Sequence, residues 1–314
     1  MINMVEDLII LGSGPAGYTA ALYAAREGFN PLLITGVNIG GQLILTTVVE
    51  NYPGFPEGIF GADLMDMMKK QAERFGTRFA YENVTGVDFS KRPFRIKTDS
   101  KEYESKCVII ATGASANWLG IPSEQGFIGR GVSSCATCDG PFFKGKDVIV
   151  VGGGDTAMTD SLFLTKFAKS VTIVHRRGEF RASKIMQERV FANGKIKVKW
   201  NSTVEEIYGN GNVNAVSIRD TATDKVDKIP IDGIFIAIGY SPNTKFLSEK
   251  VKLDEHGYII TQDEVKTDIE GVFAAGDVVD HVYRQAVSAA GSGAKAALEA
   301  REYLQNIAYT EKGK

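Results

Sequence analysis

Apolar residues follow one another without polar interruption in Leu8-Ile9-Ile10-Leu11 and again in Val148-Ile149-Val150-Val151. Each run is led by an aspartate, Asp7 or Asp147, and stops at a glycine, Gly12 or Gly152. A strand covered on both faces reads this way, because neither side of its pleat meets water. Beyond each glycine turn the apolar positions take helical spacing, over residues 18–26 and 156–168. Each half later repeats a strand that ends in a small-residue turn. In the first it is Val108-Ile109-Ile110-Ala111-Thr112-Gly113, in the second Ile234-Phe235-Ile236-Ala237-Ile238-Gly239. The pattern is that of a duplicated nucleotide-binding unit, not of a short-period repeat.

The remainder, from about Pro242, is too short for a third domain of ordinary size. It holds one more strand running into a glycine turn, Gly271-Val272-Phe273-Ala274-Ala275-Gly276-Asp277, and then helical spacing over 284–305. We expect it to return and complete the first unit. The expected fold class is α/β, with two Rossmann-like dinucleotide-binding domains, the second inserted into the first. Residues 1–114 and 245–314 would form one domain and residues 115–244 the other. Paired crossings near residues 115 and 244 suit a hinge. A helix over 61–76 carries Leu64, Met65, Met67, Met68 and Ala72 and reads as core packing.

Composition removes several function classes. The chain has 314 residues, 44% hydrophobic and 24% charged, with formal net charge −2. Lys and Arg are scattered, so the footprint of a nucleic-acid binder is missing. No apolar run approaches the ~20 residues of a membrane span, and the N-terminal run is too short and wrongly flanked for a signal peptide. Three cysteines do not make a disulfide framework. The expectation is a cytoplasmic protein in a reducing compartment, with no nucleic-acid or membrane partner.

Gly12-Ser13-Gly14-Pro15-Ala16-Gly17 matches G-x-G-x-x-G between a strand and a helix. The first glycine permits the tight turn, the second lets backbone approach a pyrophosphate, and the third lets helix and strand pack closely. The acidic residue usual ~20 positions on is absent, for Ile34-Thr35-Gly36 stand there. The adenosine end is then held by other groups, such as the Gly40-Gly41-Gln42 loop. Gly152-Gly153-Gly154-Asp155-Thr156-Ala157 is a second fingerprint in its G-x-G-x-x-A form. The next strand ends in His175-Arg176-Arg177, with Arg181 close behind. Basic groups in place of the acid suit a ribose 2′-phosphate and predict NADPH over NADH.

Between the fingerprints stands Cys135-Ala136-Thr137-Cys138-Asp139-Gly140. A structural zinc site needs about four ligands. The third cysteine, Cys107, lies in an apolar strand, and the histidines (His175, His256, His281) lack ligand spacing, so no metal is expected. A dithiol where a loop enters a helix has its thiolate stabilised, as disulfide exchange requires. Asp139 would disfavour that thiolate by its charge, and reads as a proton carrier. Cys107 reads as a buried core thiol. Pro141-Phe142-Phe143 after the dithiol and Arg130 before it form either a docking patch or core. His281 lies either beside a cofactor or on the surface.

Taken together these motifs resemble the low-molecular-weight thioredoxin reductases, FAD- and NADPH-dependent flavoproteins, essentially end to end. Further carriers are Gly40-Gly41-Gln42-Leu43, Glu50-Asn51-Tyr52-Pro53-Gly54, Ala111-Thr112-Gly113-Ala114, Gly276-Asp277-Val278 and Tyr283-Arg284-Gln285-Ala286. The resemblance implies that Gly12, Ser13, Gly14, Pro15 and Ala16 cradle the FAD pyrophosphate. It implies that Thr35, Gly36, Gly40, Gly41, Gln42, Leu43, Thr46, Asn51 and Val84 line its adenosine and ribityl regions. Ala111, Thr112 and Gly113 would close that pocket. Gly276, Asp277, Val278, Arg284, Gln285 and Ala286 would reach the ribityl chain and ring. NADPH would lie on Gly154, Asp155, Thr156 and Ala157, its 2′-phosphate meeting His175, Arg176, Arg177 and Arg181, with Ile238 and Gly239 near the cleft. Tyr240 departs from the histidine that many members carry.

The implied reaction carries electrons from NADPH through FAD and the Cys135–Cys138 disulfide to oxidised thioredoxin or a thioredoxin-like protein. Cys138 would face the flavin, Cys135 would attack the partner disulfide, and Asp139 would supply a proton. The resemblance also implies a homodimer, and rotation of the NADPH domain between two poses. Ferredoxin or flavodoxin reductases share the architecture but need no dithiol. The flavoprotein of a peroxide-reducing system usually carries an extra N-terminal region. An oxygen-using dithiol oxidase would leave the arginines without purpose, and a nucleotide sensor would not consume NADPH.

Overall fold

The computed structural model describes residues 5–247 and 249–312. The chain divides into two compact units, Met1–Ser115 with Ser241–Lys314, and Ala116–Tyr240.

In the first unit, parallel strands run in the order Arg78–Ala80, Leu32–Ile34, Val5–Leu11 and Glu102–Ile110. The strand Glu102–Ile110 changes partner along its length. Its start pairs antiparallel with Phe94–Thr98, and its end pairs parallel with Val272–Ala274, Val108 opposite Val272. The C-terminal segment thereby enters the sheet of the N-terminal one. Alternate residues of the central strands feed two cores. Leu8, Ile10 and Ile109 face the helices Pro15–Arg26 and Ala286–Lys312, while Ile9, Leu11 and Ile110 face a second cluster with Leu247 and Ile259. The two helices meet through small residues, and a Cβ on Gly293 would overlap the Ala16 carbonyl. The long helix starts at Ala286, not at 284, because Arg284 adopts φ 48°, which no helix accommodates.

The second unit is a five-stranded parallel sheet in the order Val132–Ser133, Gly233–Ile236, Asp147–Val151, Ser170–Val174 and Ile196–Lys199. One face packs against the helices Asp155–Leu164 and Lys184–Phe191. The other is covered by an antiparallel sheet, Ser202–Asn210, Asn212–Asp220 and Val226–Pro230, through Val204, Ile207, Val216 and Ile218. The helix expected over 156–168 ends at Leu164, where the Lys195 ammonium donates to the carbonyls of Thr165 and Ala168, at 2.8 and 3.1 Å. Both units present a glycine loop at the carboxyl end of the parallel strands, the usual ligand side of such sheets.

Phe143 packs edge-on against Phe235 with ring centroids 5.1 Å apart, over Gly233, whereas its neighbour Phe142 is 37% exposed. Phe143→Ala is expected to cost about 3 kcal/mol by cavity formation, and Phe142→Ala less than about 0.5 kcal/mol. Urea unfolding of both variants checks this; equal losses would contradict the division of roles.

Candidate active site

The first loop is shaped by what cannot fit there. Gly12 has φ 109°, and a Cβ on it would overlap the Ala111 carbonyl; a Cβ on Gly17 would overlap the Gly12 carbonyl. A Cβ on Gly14 would meet nothing within 4 Å. Strand end and helix start are thus pressed together, and only the second glycine borders open space. Pro15 opens the helix, and no side chain caps it, so its first N–H groups face that space. Such a terminus favours an anion.

Ser13 assembles the surrounding loops. Its hydroxyl donates to the Thr35 carbonyl at 2.8 Å and accepts the Gly40 N–H at 3.1 Å. A Cβ on Gly41 would come within 3.3 Å of the Gly14 Cα, so these loops also lie close. Asn51 donates to the Gln285 side-chain oxygen at 3.1 Å, bringing the Glu50–Gly54 motif to the C-terminal segment. The Thr112-Gly113 turn is clasped by Asn243. The Asn243 amide donates to the Thr112 carbonyl at 2.8 Å, and the Thr112 hydroxyl donates to the Asn243 carbonyl at 2.9 Å. Burial, with Asp280 adding to it, pushes the Asp277 carboxyl up to about 7 against the pull of Arg284. A carboxyl near neutrality can donate or accept a hydrogen bond, which suits a ribityl hydroxyl. Val278 and Val84 contribute side chains to the core with Leu247, on the sheet face away from the Pro15–Arg26 helix. These residues fit FAD: an anion cradle at an open helix start, loops tied to it by Ser13, and a carboxyl raised by burial on the C-terminal segment.

The second loop repeats the logic. A Cβ on Gly152 would overlap the Ala237 carbonyl, Ala157 is fully buried, and Gly154 borders open space at an uncapped helix start. Arg176, Arg177 and Arg181 are exposed, and none makes a side-chain ion pair among the described residues. His175 is placed differently. It is buried, its ring lies against Gly153 and the Phe180 and Trp200 rings, and its Nε2 meets the Glu179 carbonyl at 2.9 Å. The histidine supports the loop from beneath, while the arginines stand in solvent. Ile238 is 41% exposed, and the Gly239 carbonyl accepts the Asn117 N–H at 3.0 Å. Uncapped helix, open glycine and unpaired guanidiniums fit a phosphorylated dinucleotide.

Cys135 stands at the N-cap of the helix Ala136–Asp139 and is joined to Cys138 by a disulfide, with Cα atoms 5.3 Å apart. The Cys138 N–H points at the Cys135 sulfur at 3.2 Å, and the Thr137 hydroxyl lies 3.4 Å from it. On reduction these donors favour a thiolate at Cys135. The entry to the helix is braced: Ser133 Oγ accepts the Cys135 N–H at 3.0 Å, and the Tyr240 hydroxyl donates to the Ser134 carbonyl at 2.7 Å. Asp139, half-buried, donates its N–H to the Cys135 carbonyl at 3.1 Å. Cys107 is fully buried, and burial pushes its thiol far above the ordinary range.

Residues 6–293 match the pyridine nucleotide-disulphide oxidoreductase family. A thioredoxin reductase of Rickettsia bellii is 55% identical over 308 residues, covering 96% of this chain and 99% of the relative. The solved thioredoxin reductase of Streptococcus pyogenes superposes with TM-score 0.93 at 43% identity, over 97% of this chain and 99% of that one. That of Giardia duodenalis does so with TM-score 0.90 at 41% identity, over 95% and 98%. The chain belongs to the pyridine nucleotide-disulphide oxidoreductase family, among its thioredoxin reductases.

Within this thioredoxin reductase frame, sequence reasoning passed over Asn243, Ser133 and the role of Tyr240. Each acts through a backbone carbonyl or N–H distant in sequence or outside any fingerprint, so no motif flags it. His281 packs on the Tyr258 ring, centroids 5.5 Å apart, and is exposed.

Burial, reinforced by Arg181 and Arg176, holds the His175 imidazole below the ordinary histidine range, against the backbone bonds to Glu179 and Gly152. The unfolded chain therefore takes up the proton first as pH falls through about 6.5. Stability is present above that value and is lost on acidification below it. His175→Gln is expected to flatten this dependence. Urea midpoints at pH 7.5 and 5.5 for both proteins check it; an unchanged slope in the variant would show that His175 titrates normally.

Proposed function

We propose that this chain reduces the disulfide of thioredoxin or a thioredoxin-like protein at the expense of NADPH, as a cytoplasmic homodimer. The observation that carries the reading is the Cys135–Cys138 disulfide at a helix N-terminus, in a chain with two anion-cradling glycine loops. FAD would be held by Ser13, Gly14, Pro15, the 35–36 and 40–43 loops, Asp277 and Gln285. NADPH would be held by the 154–157 helix start and Arg176, Arg177 and Arg181. When bound, FAD and NADPH supply the two electrons that open the Cys135–Cys138 disulfide.

The chain's own residues do the rest. Once the pair is reduced, the Cys138 N–H favours charge on the Cys135 sulfur, which attacks the partner disulfide. One partner sulfur bonds to Cys135 and the other leaves, taking a proton from the Asp139 carboxyl. The Asp139 carboxylate next takes the Cys138 thiol proton; the Cys138 thiolate attacks Cys135, re-forming the Cys135–Cys138 disulfide, and the second partner sulfur leaves with that proton as a thiol. Both electrons end on the partner dithiol. Phe142, exposed beside the dithiol, and Arg130, also exposed, supply an apolar and a cationic contact for that partner.

Anaerobic titration with NADPH, followed by thioredoxin, tests the reading. Cys135→Ser and Cys138→Ser are expected to bleach the flavin and yet leave thioredoxin oxidised. Thioredoxin reduction by the double serine variant would sink the proposal. Phe142→Ala is expected to raise KM for thioredoxin about tenfold, the size of one interface anchor, and to spare a small disulfide such as DTNB. Equal losses on both substrates would assign Phe142 to packing.

A further inference from the structure

The pyrophosphate loop and the arginine loop of the second unit are stitched together. The Gly153 carbonyl accepts the N–H groups of Arg181 and Ala182, at 2.8 and 3.1 Å. One helical step on, the Asp155 carboxylate accepts the Ser183 N–H at 3.0 Å and the Ser183 hydroxyl at 2.7 Å. Arg181 itself is exposed between buried Phe180 and buried Ala182. Its side chain thus leaves a segment that is fixed on both flanks. Resting on the NADPH reading above, we infer that Asp155 and Ser183 form a clamp that sets Arg181 at the spacing of a ribose 2′-phosphate from the pyrophosphate loop. Asp155 is then a positioning residue for nucleotide selectivity: its backbone N–H stays part of the helix start that holds NADPH, and its carboxylate, which Asp155→Ala removes, acts through Ser183 without touching the nucleotide.

The chemistry supports this division. A dinucleotide holds its 2′-phosphate and pyrophosphate at a separation set by one ribose, so the two protein loops must keep a matching separation. A carboxylate near an anion site repels its ligand, which makes Asp155 a poor pyrophosphate contact. Its place on the first turn of Asp155–Leu164 suits a negative charge for the helix itself. Ser183 also holds the Asp155 carboxyl below its ordinary range, so the acceptor stays ionised at neutral pH. A role through charge and a role through geometry predict opposite results on removal of the acid.

Calorimetric titration of the FAD-loaded protein with 2′,5′-ADP and with ADP separates them, with no turnover in the readout. Asp155→Ala is expected to weaken 2′,5′-ADP about fivefold, the worth of one net hydrogen bond, and to leave ADP within about twofold. Asp155→Asn keeps an acceptor for Ser183 and is expected to restore most of the loss. An unchanged ratio of the two affinities in Asp155→Ala overturns the clamp. So does tighter binding of both ligands by Asp155→Ala and Asp155→Asn alike, the signature of simple charge removal. Should Asp155→Ala fail to fold, Ser183→Ala removes only the hydroxyl donor, and a wild-type ratio there overturns the clamp equally. A wild-type protein that binds 2′,5′-ADP no better than ADP would instead refute the NADPH reading itself.

Discussion

Each unit depends on one close approach, a glycine backbone laid against the carbonyl that ends a neighbouring strand. Gly12 meets Ala111 and Gly152 meets Ala237, at distances that leave no room for a Cβ. The approach does more than tighten a turn. It draws the ends of two parallel strands together with the helix start between them, so that Ala111-Thr112-Gly113 and Ala237-Ile238-Gly239 become walls of the crevice. A side chain at either glycine would separate wall from cradle, and the helix terminus would face water with no shaped space around it. The uncapped helix ends follow from the same design. Each forgoes a capping side chain, a contribution of about 1 kcal/mol, and leaves its N–H groups for a ligand.

This constraint is also why so much of the fold was legible. Unbroken apolar runs, three spaced small residues and a following helix describe a single physical device, and the device occurs in both halves. The antiparallel sheet over 202–230 was not read. Its strands are short-ranged in pairing and turn at Asn210-Gly211-Asn212, a hairpin signal, yet they carry no chemistry and fall outside any fingerprint. Asn243 was illegible for a different reason. It acts on Thr112 through backbone groups, and only the folded chain brings those positions together.

The cysteines show how environment sorts identical side chains. Cys107 sits in a central strand with its thiol shut away from solvent, where burial opposes ionisation and outweighs the Val108 backbone hydrogen bond that favours it. Cys135 sits at the N-cap of a short helix, half-buried, with an N–H aimed at its sulfur. The helix is only four residues long, so its dipole is small and the local donors carry the effect. That makes the bracing of residues 133–135 by Ser133 and Tyr240 part of the chemistry. If the loop sagged, the Cys138 N–H would lose its target. A tyrosine at position 240 reaches the Ser134 carbonyl with its hydroxyl, which gives this side chain a defined task.

His175 was grouped in the sequence with Arg176 and Arg177 as one cationic cluster, and the fold separates them by their burial. Along a strand, neighbours point to opposite sides, and one step at the end of Ser170–Val174 takes the chain from the aromatic floor to solvent. The neutral imidazole then adds no charge to the nucleotide site but fills the volume under Gly153 that the loop needs to keep its shape. The first unit meets the same need with a hydroxyl: Ser13 ties residues 35 and 40 to the glycine loop from within. The duplicated units therefore share their backbone device and differ in how side chains stiffen it. That is the expected outcome when the ligand constrains the cradle tightly and its support only by volume and hydrogen-bond count.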